Sequence, residues 1–553
     1  MTRAVPPTGA QPSPAQPSPA QPSPAQPSPA QPSAELPARR RAAVAGLLAT
    51  AVALGVAELV AGALGERSLV VAIGDAVIDR VPGWLERFAI TTLGTADKPV
   101  LIAGVLVLSG ALGAALGRLA RTRLALACAG LVAIGALGVA AAMADARTSP
   151  ADAVAIAGVG AAAGVAALVL LTRAAGPVRP APSVETDPTL FARRRFLALA
   201  TASAAVGVIG AAGGRLLSAP RVDRLREAIR LPVPATAAAP LTPQGALEIE
   251  GLTPLRTPNA DFFRIDTALL VPEVDPSSWS LEIRGMVDRP FTLTYDELLA
   301  LADVEADVTL ACVSNEVGGR LVGNARWQGV PLRGLLERAG VQAGATQVVG
   351  RSVDGFTAGF PVDLALRAGS GPGDVGALVA VGMNGEPLPQ VHGFPARLVV
   401  PGLYGYVSAT KWLSAIELTT FEEEGYWISR GWSREGPVKT MARIDVPRRG
   451  AVPAGPQPIA GVAWAPSRGI SRVEVRIDEG PWQEARLSDP LGVDVWRQWV
   501  LEWDAPPGQH MITARATDGT GQVQTSRIAP PAPDGASGHH RVLVQVERVQ
   551  VER

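Results

Sequence analysis

Two cysteines are the side chains of this chain best suited to hold a soft metal. They are Cys128 and Cys312, the two thiols among 553 residues. Cys128 lies inside an apolar stretch of membrane type, so a disulfide between the two is not expected. Cys312 ends a strand-like run at residues 307–312 and is followed by a polar turn. A thiol placed in this way can act as a metal ligand, and an inert buried cysteine is the alternative interpretation.

A group of cationic side chains begins about eighty residues after Cys312. His392, Arg397 and Lys411 lie in a segment rich in Gly and Pro. The whole chain contains three lysines, Lys98, Lys411 and Lys439, and arginine supplies its other basic residues. We interpret Lys411 as a lysine that its local geometry requires, with chance retention as the alternative.

The elements expected to position these residues belong to a soluble α+β domain at 246–440. Trp279–Gly285 alternates like a strand, and Thr294 with Glu297 is typical of a capping box at a helix start. Further strands are predicted at 307–312, 347–353, 377–381 and 397–400, with a helix at 332–339. Beyond residue 440, short alternating strands separated by Gly and Pro turns are typical of an immunoglobulin-like sandwich. The sequence therefore predicts an all-β domain at 441–548.

Four segments of the chain resemble, in order, the molybdopterin-dependent oxidoreductases of the sulfite oxidase family. They are Thr257–Arg264, Cys312 with its turn, Arg326–Leu332 and Asn384–Trp412, and the resemblance spans roughly residues 246–545. It implies a molybdenum–molybdopterin cofactor, with Cys312 as the thiolate ligand of the metal, and two-electron oxygen-atom transfer. The residues that it assigns to the cofactor are Asn259, Phe262, Phe263, Cys312, Ser314, Asn315, Ser352, His392, Arg397, Thr410 and Lys411. Those that it assigns to catalysis are Cys312, Arg320 and Arg326.

Some of these residues also have ordinary structural interpretations. Ser314 and Asn315 would equally suit a plain turn after a strand. An aromatic pair such as Phe262-Phe263 is by itself more often core than cofactor wall. Both interpretations stay open at the level of sequence.

The substrate is where this chain departs from the family pattern. Sulfite oxidases follow their cysteine motif with arginines that help bind the anion, whereas Glu316 stands here in place of the first base. We find no match for their active-site tyrosine. That region contains instead Trp427, Arg430, Trp432 and Arg434. Indoles and fewer cations argue against sulfite as the natural substrate, unless Arg320 or Arg326 compensates. A methionine sulfoxide reductase is an alternative function, although that branch normally ends before a third domain, and a non-catalytic membrane receptor is another.

Apolar stretches at 43–64, 99–117, 124–143, 153–172 and 196–214 precede the soluble domains. Each is close to the roughly 20 residues that span a bilayer, and their Ala and Gly content suits close helix packing. We predict a five-helix membrane domain at 42–217 and a linker at 218–245. Before it, the tandem Gln-Pro-Ser-Pro-Ala repeats at 11–30 predict a disordered cytoplasmic tail at 1–41.

The distribution of arginine predicts how the membrane domain is oriented. Arginines cluster before the first span, between the second and third, and before the fifth, which places the N-terminus inside and residues after 217 outside. Arg193-Arg194-Arg195-Phe196-Leu197 also resembles a twin-arginine export signal, with an ordinary positive-inside cluster as the alternative. Because molybdopterin is inserted in the cytoplasm, the domain that carries it must be exported folded. We therefore expect a multi-pass protein of the cell membrane with an extracytoplasmic catalytic domain.

The partners follow from what the sequence contains and lacks. All four histidines come after residue 390, so no span offers a haem ligand, and no haem attachment motif is found. We expect a small-molecule substrate and a separate haem or cytochrome protein that exchanges electrons with the molybdenum. The 50 basic and 50 acidic residues balance and give no basis for nucleic-acid binding. The resemblance also implies a homodimer through the C-terminal domain, which the membrane anchor could restrict.

Overall fold

A computed structural model describes residues 35–66, 68–78, 80–81, 85, 92, 96–143, 149–175, 188–369, 375–448 and 450–548. Most of the predicted tail, residues 1–34, lies outside this described part. Helices occupy the first half, in the order α1 (Glu35–Leu64), α2 (Leu69–Ile78), α3 (Asp97–Ala120), α4 (Leu124–Ala142), α5 (Pro150–Ala175) and α6 (Pro188–Ala228). By length and composition, α1, α3, α4, α5 and α6 are long and apolar enough to cross a membrane.

These five helices coincide with the five predicted stretches, with two differences at their ends. α1 begins at Glu35, earlier than the predicted start at residue 42. α6 runs to Ala228, past the predicted end of the fifth span, because strong helix formers such as Leu225, Arg226 and Glu227 continue it. Residues 218–228 of the predicted linker are therefore helical. The short apolar helix α2 was not predicted, since it lies in a connection of mixed charge.

α1 is the central helix of this helical domain and packs against α3, α5 and α6. The packing depends on glycine, because the helix backbones touch. A Cβ atom on Gly46 would lie 2.0 Å from the carbonyl oxygen of Gly113, and one on Gly62 would lie 2.3 Å from that of Gly214. Small residues at such crossings allow the close approach that stabilises helix pairs in lipid.

The domain after α6 contains two sheets. The first has the order β2-β1-β10-β5-β6, with β1 and β10 parallel, and the second has the order β3-β4-β7-β8, with β9 added to β7. Their strands are β1 (Ser280–Gly285), β2 (Phe291–Thr294), β3 (Val304–Ala311), β4 (Val322–Pro331), β5 (Gln347–Ser352), β6 (Thr357–Pro361), β7 (Leu378–Met383), β8 (Glu386–Pro387), β9 (Arg397–Val399) and β10 (Leu413–Thr419). The predicted strands at 307–312, 347–353, 377–381 and 397–400 are thus confirmed to within a few residues.

Short helices connect these strands. They are α7 (Tyr295–Ala300), α8 (Leu332–Ala339), α9 (Val362–Leu366) and α10 (Gly405–Ser408), with a 3-10 turn at Gln390–His392. α7 begins with the predicted capping box: the Thr294 hydroxyl accepts a hydrogen bond from the Glu297 backbone N–H, and the Glu297 carboxylate accepts one from the Thr294 N–H. β3, β4 and β7 are buried along nearly their whole length, which makes them a rigid support for the residues at their ends.

Two more sheets form the C-terminal domain and share one apolar core. One has the order β11-β13-β17-β16 and the other β12-β19-β18-β14-β15. Their strands are β11 (Met441–Val446), β12 (Gly450–Pro453), β13 (Gly455–Trp464), β14 (Ile470–Ile477), β15 (Gln483–Glu484), β16 (Arg486–Leu487), β17 (Arg497–Ala505), β18 (Gly508–Asp518) and β19 (His540–Glu547). The all-β prediction is confirmed, and the immunoglobulin-like assignment stays a prediction.

The C-terminal domain supports β3 and the turn that follows it. The Trp496 backbone N–H donates to the Thr309 hydroxyl at 2.9 Å, and its indole N–H donates to the Leu255 carbonyl at 2.7 Å. Arg443 donates to the carbonyl of Gly319 at 3.0 Å. Through these contacts the C-terminal domain fixes the end of β3 and the turn after it, where Cys312 lies.

Candidate functional site

A cavity of about 770 Å³ lies where β3, the 3-10 turn, β9, α10 and loops of both soluble domains converge. Its wall combines apolar rings with a few polar groups, as is usual for cofactor sites. The predicted site residues that line it are Phe262, Phe263, Cys312, Ser314, Ser352, His392, Arg397 and Lys411. The fold therefore brings the thiol and the cationic group, distant in sequence, to one space.

Cys312 lies directly after β3 and is 8% exposed. Its backbone N–H donates to the Leu321 carbonyl at 2.8 Å, and its carbonyl accepts from the Asn315 N–H at 3.1 Å. Burial raises the pKa of the thiol, while hydrogen bonds from the Ser314 backbone N–H and hydroxyl act in the opposite direction. Ser314 thus partly offsets the effect of burial, and the thiolate is the form that binds a metal.

Arg397 carries a buried positive charge on β9. One guanidinium N–H donates to the His392 carbonyl at 3.1 Å, and the group lies over the Trp327 ring at 4.9 Å. Burial lowers the pKa of Arg397 to about 9. Among the described residues no carboxylate pairs with it. A buried guanidinium without a counter-charge is costly, so an anion in the cavity would be strongly stabilised there.

Lys411 is the second buried cation of the cavity. Its ammonium donates to the Asp266 carboxylate at 2.9 Å and to the Val391 carbonyl at 3.2 Å, and it lies 4.4 Å from the centre of the Trp412 ring. Burial lowers the pKa of Lys411 to about 8, although Asp266 opposes this. Burial alone would raise the pKa of Asp266, but Lys411 and Lys98 more than offset it and hold that pKa well below its usual range.

His392 is a neutral group beside these cations. Its Nε2 lies 2.7 Å from the Asn259 carbonyl oxygen, and its ring meets the Phe262 ring edge-on at 5.5 Å. Since a carbonyl oxygen only accepts, Nε2 carries the proton. Burial first, and then the charges of Arg397 and Lys411, lower the pKa of His392 to about 4. The ring can therefore donate one hydrogen bond and accept another at neutral pH.

We expect acid to destabilise the fold through His392. The pKa of this group falls from 6.5 in the unfolded chain to about 4 in the folded one, so the stability that the neutral ring provides is complete above pH 6.5 and is lost as the pH falls towards 4. At about 1.4 kcal/mol per pKa unit, the loss approaches roughly 3 kcal/mol. The measurement is the apparent melting temperature of the full chain in detergent micelles at several pH values between 7 and 4.5. His392→Gln keeps the N–H to Asn259 without a titrating ring, and equal pH slopes in the two proteins would contradict the prediction.

Three predicted residues lie behind the cavity wall and hold it in place. Asn259 bonds Glu386 through its side chain at 2.6 Å, and its carbonyl holds His392. Asn315 accepts from the Leu321 N–H at 2.8 Å and so fixes the turn after Cys312. Thr410 is fully buried, and its hydroxyl lies 3.4 Å from the Gly350 carbonyl. Their contact with a cofactor stays a prediction.

The two arginines predicted for catalysis lie outside the cavity lining. Arg326 is the cross-strand neighbour of Asp307 between β4 and β3, and it pairs with that carboxylate at 3.2 Å. Arg256 holds the same carboxylate at 2.6 Å. None of these three side chains lines the cavity. Arg320 is exposed on the turn after Cys312.

The structure places the two indoles expected near the substrate in the cavity wall and adds Tyr406, which the sequence left unassigned. Tyr406, Trp427 and Trp432 line the cavity, with ring centres 5.8 Å apart for Tyr406 and Trp432 and 6.2 Å apart for the two indoles. The Tyr406 hydroxyl donates to the Ser433 carbonyl at 2.5 Å. Tyr406 stands directly after the Leu-Tyr-Gly of the matched segment, a position that could have signalled it. Asp266 had no comparable signal, because its lysine partners are 145 and 168 residues away.

Comparison with known proteins identifies the family. The model of the oxidoreductase molybdopterin-binding domain matches residues 268–427. Mitochondrial sulfite oxidase of Macaca fascicularis is 31% identical over 319 residues, which cover 50% of this chain and 58% of that protein. Sulfite oxidase of Gallus gallus is 30% identical over 322 residues, which cover 50% of this chain and 69% of that protein. The crystal structure of the sulfane dehydrogenase SoxCD from Paracoccus pantotrophus aligns with 59% of this chain and 92% of its own at 22% identity and a TM-score of 0.46.

The chain spans less than two thirds of the length of the primate sulfite oxidase and slightly more than two thirds of the avian one. The matched segments contain Cys312, Arg397 and Lys411, the residues that the fold brings to one cavity. On this sequence identity and coverage, the chain belongs to the sulfite oxidase family of molybdopterin-dependent oxidoreductases.

Proposed function

We propose that this chain is a membrane-anchored, extracytoplasmic molybdenum oxidoreductase that transfers an oxygen atom to or from a small sulfur compound. One observation carries the proposal. The buried Cys312 thiol and the Arg397 guanidinium, which has no carboxylate partner among the described residues, line the same cavity. A soft metal ligand and an uncompensated buried cation in one space fit a metal-bearing anionic cofactor.

The residues present fit molybdopterin. Cys312 would hold the metal, and Arg397 with Lys411 would hold the phosphate of the pterin, while His392 offers a neutral donor or acceptor to the ring system. When bound, the molybdenum centre supplies two-electron oxygen-atom transfer. Phe262 and Phe263 stack at 5.0 Å and exclude water from this side of the cavity. A dry cavity strengthens every charge–charge contact inside it.

The aromatic wall supports an organic sulfur compound more than sulfite. The indoles of Trp427 and Trp432 and the ring of Tyr406 face the cavity, and Glu316 lines it as well. Arg320 and Arg326, which would have compensated for the missing bases, lie outside the lining, and Arg430, which does line the cavity, has its guanidinium over the Tyr426 ring at 3.5 Å. Burial raises the pKa of Tyr406, so its hydroxyl stays a neutral donor. An apolar substituent on the substrate sulfur would bury against these rings, whereas a dianion would gain little from them.

Contacts between the membrane helices and the catalytic domain support the proposed topology. The ammonium of Lys98, on the first turn of α3, bonds Asp266 of the catalytic domain at 2.7 Å. The start of α3 and the catalytic domain therefore lie on one side of the helix bundle, as five spans with an inside N-terminus require. The charge pattern before α6 supports the outer side. The side chain of Arg193 in the twin-arginine-like motif lies outside the described residues.

We also propose a separate cytochrome or membrane haem protein as electron partner, and a homodimer through the C-terminal domain. The proposed partner would approach the extracytoplasmic domain, because no histidine lies in α1 to α6 and these helices therefore offer no histidine ligand for a haem that would carry the electrons. Dimerisation rests on the predicted immunoglobulin-like domain and on the family resemblance.

The test of the proposed function is a substrate screen of the purified full chain with an artificial electron carrier. Sulfite, a dialkyl sulfide and the corresponding sulfoxide are compared, and metal content is measured on the same sample. We expect molybdenum in stoichiometric amount and faster turnover of the organic sulfur compound than of sulfite. Sulfoxide reduction without sulfide or sulfite oxidation would identify a reductase. A chain without molybdenum and without turnover would contradict an enzyme and would favour the receptor alternative.

A further inference from the structure

Lys98 reaches from the membrane domain into the wall of the cavity. It stands on the first turn of α3, and its ammonium contacts three oxygen atoms of one catalytic segment. These are the Asp266 carboxylate at 2.7 Å, the Asp266 carbonyl at 2.9 Å and the Ala268 carbonyl at 2.6 Å. The side chain of Lys98 is 27% exposed and that of Asp266 is 3% exposed. An ammonium that satisfies three acceptors in this way fixes the segment's position relative to the helix.

A second membrane helix holds the same segment. Leu269 packs on α2 at Gly74, so closely that a Cβ atom on that glycine would lie 2.4 Å from a methyl carbon of Leu269. Leu269 is 4% exposed. The polar contact of Lys98 and the apolar contact of Leu269 lie three residues apart on the segment. Residues 266–269 are thus clamped by α2 and α3 together.

Asp266 passes this contact on to the cationic end of the cavity. Its second carboxylate oxygen accepts from Lys411 at 2.9 Å and from Arg264 at 3.0 Å. Two of the three lysines in the chain therefore meet on one buried carboxylate. Asp266 and Lys411 both line the cavity, so the link runs from a membrane helix to an anion-binding group through a single side chain.

We propose that Lys98 is a positioning residue of the anion clamp, the pair Arg397 and Lys411. Through Asp266 it fixes the position of the Lys411 ammonium and leaves the positive charge of that ammonium available to an anion, so that the membrane domain is part of the cofactor site. The inference rests on the proposed function in that Lys411 and Arg397 hold an anionic group. The inference goes beyond the proposed function because a helix of the membrane domain then helps to bind the cofactor as well as anchoring the enzyme.

The charges around Lys411 determine the expected effect. Asp266 faces Lys98, Lys411 and Arg264, and Lys411 faces Asp266, Arg264, Arg397 and the neutral ring of His392. While Lys98 offsets part of the negative charge of Asp266, the positive charge of Lys411 can attract a further anion. Without Lys98, the Asp266 carboxylate repels that anion and raises the pKa of Lys411. Loss of Lys98 should therefore weaken anion binding. It should also raise the alkaline limit of binding, which is the pH above which the anion no longer binds.

The experiment is a titration of the cofactor-free full chain with inorganic phosphate in dodecyl maltoside micelles, followed by ³¹P line broadening from pH 6.5 to 10. We expect Lys98→Met to weaken phosphate binding at pH 7 by about fivefold, as for one charge at moderate distance. We expect the alkaline limit of binding to rise by roughly half a pH unit. Lys98→Arg should restore most of the affinity. Lys439→Met is the matched control, because that lysine does not line the cavity and pairs with Asp534 at 3.1 Å instead of Asp266.

Three results would overturn the inference. The first is a wild-type chain that binds no phosphate. The second is Lys98→Met with unchanged affinity and unchanged alkaline limit. The third is weaker binding with no shift of the alkaline limit and no rescue by Lys98→Arg, which would reveal a merely structural contact. The titration uses no molybdenum, so these outcomes are distinct from failure of the proposed function, which appears as missing metal or missing turnover.

Discussion

Cys312→Ser is expected to abolish molybdenum binding while leaving the fold and part of the pterin binding intact. A serine hydroxyl stays protonated at neutral pH and is a harder ligand than a thiolate, so the metal loses its protein bond. Changes to groups that merely support a ligand already cost 10- to 100-fold in affinity or activity, so loss of the ligand itself should cost at least about a hundredfold. Metal analysis, pterin fluorescence after oxidation and turnover are measured on the same purified chain.

Cys128→Ser is the matched control for Cys312→Ser. Cys128 is the other thiol of the sequence and lies in the apolar helix α4, outside the catalytic domain. We expect this variant to keep molybdenum, pterin and activity. Because Arg397 and Lys411 hold the other end of the cofactor in the proposed site, pterin retention in Cys312→Ser should exceed metal retention. Full metal content in Cys312→Ser would contradict the assignment of the ligand, and loss of metal in both variants would indicate a general effect of thiol removal.

The five long apolar helices and the strands were predictable because each depends on local composition. A helix such as α5 is apolar over a length that matches the thickness of a bilayer, and β3 consists of residues that suit a buried strand. α2 was missed because its 10 residues are too few to span a membrane and long-range packing decides its place. The polar end of α6 was missed because hydropathy registers the apolar turns of a helix and stops where they stop.

The candidate site was predictable only where the family resemblance connected residues that lie far apart in sequence. No local pattern connects Cys312 with Arg397, although both line the cavity. The matched segment Arg326–Leu332 includes part of β4, but Asp307, the salt-bridge partner of Arg326, lies outside every matched segment. The catalytic role of Arg326 stays a prediction. The role of Asp266 depends on two lysines far away in sequence, which a single chain cannot reveal.

Arg397→Met is expected to stabilise the cofactor-free chain and to weaken cofactor binding. At pH 7 the guanidinium is charged in both the folded and the unfolded chain, and its burial cost is relieved only as the pH rises past the lowered value of about 9. Replacing a buried charge by an apolar side chain of similar length should raise the free energy of unfolding by about 1–3 kcal/mol. The same change removes a charge-assisted hydrogen bond to the anion, worth about 1.5–3 kcal/mol, or roughly tenfold or more in retention. Melting temperature and pterin retention measure the two effects.

Arg443→Met separates a functional from a structural buried arginine. Arg443 is 6% exposed and Arg397 is 5% exposed, but Arg443 pairs with Asp445 at 2.7 Å. Its removal leaves a buried carboxylate unpaired, so this variant should lose about 3–5 kcal/mol of stability. If Arg397→Met is destabilising as well, the contacts of Arg397 with the His392 carbonyl and the Trp327 ring outweigh its burial cost, and its proposed role in binding the anion is wrong. If the free energy of unfolding rises in Arg397→Met and falls in Arg443→Met, the fold tolerates the buried charge of Arg397 because a bound anion neutralises it.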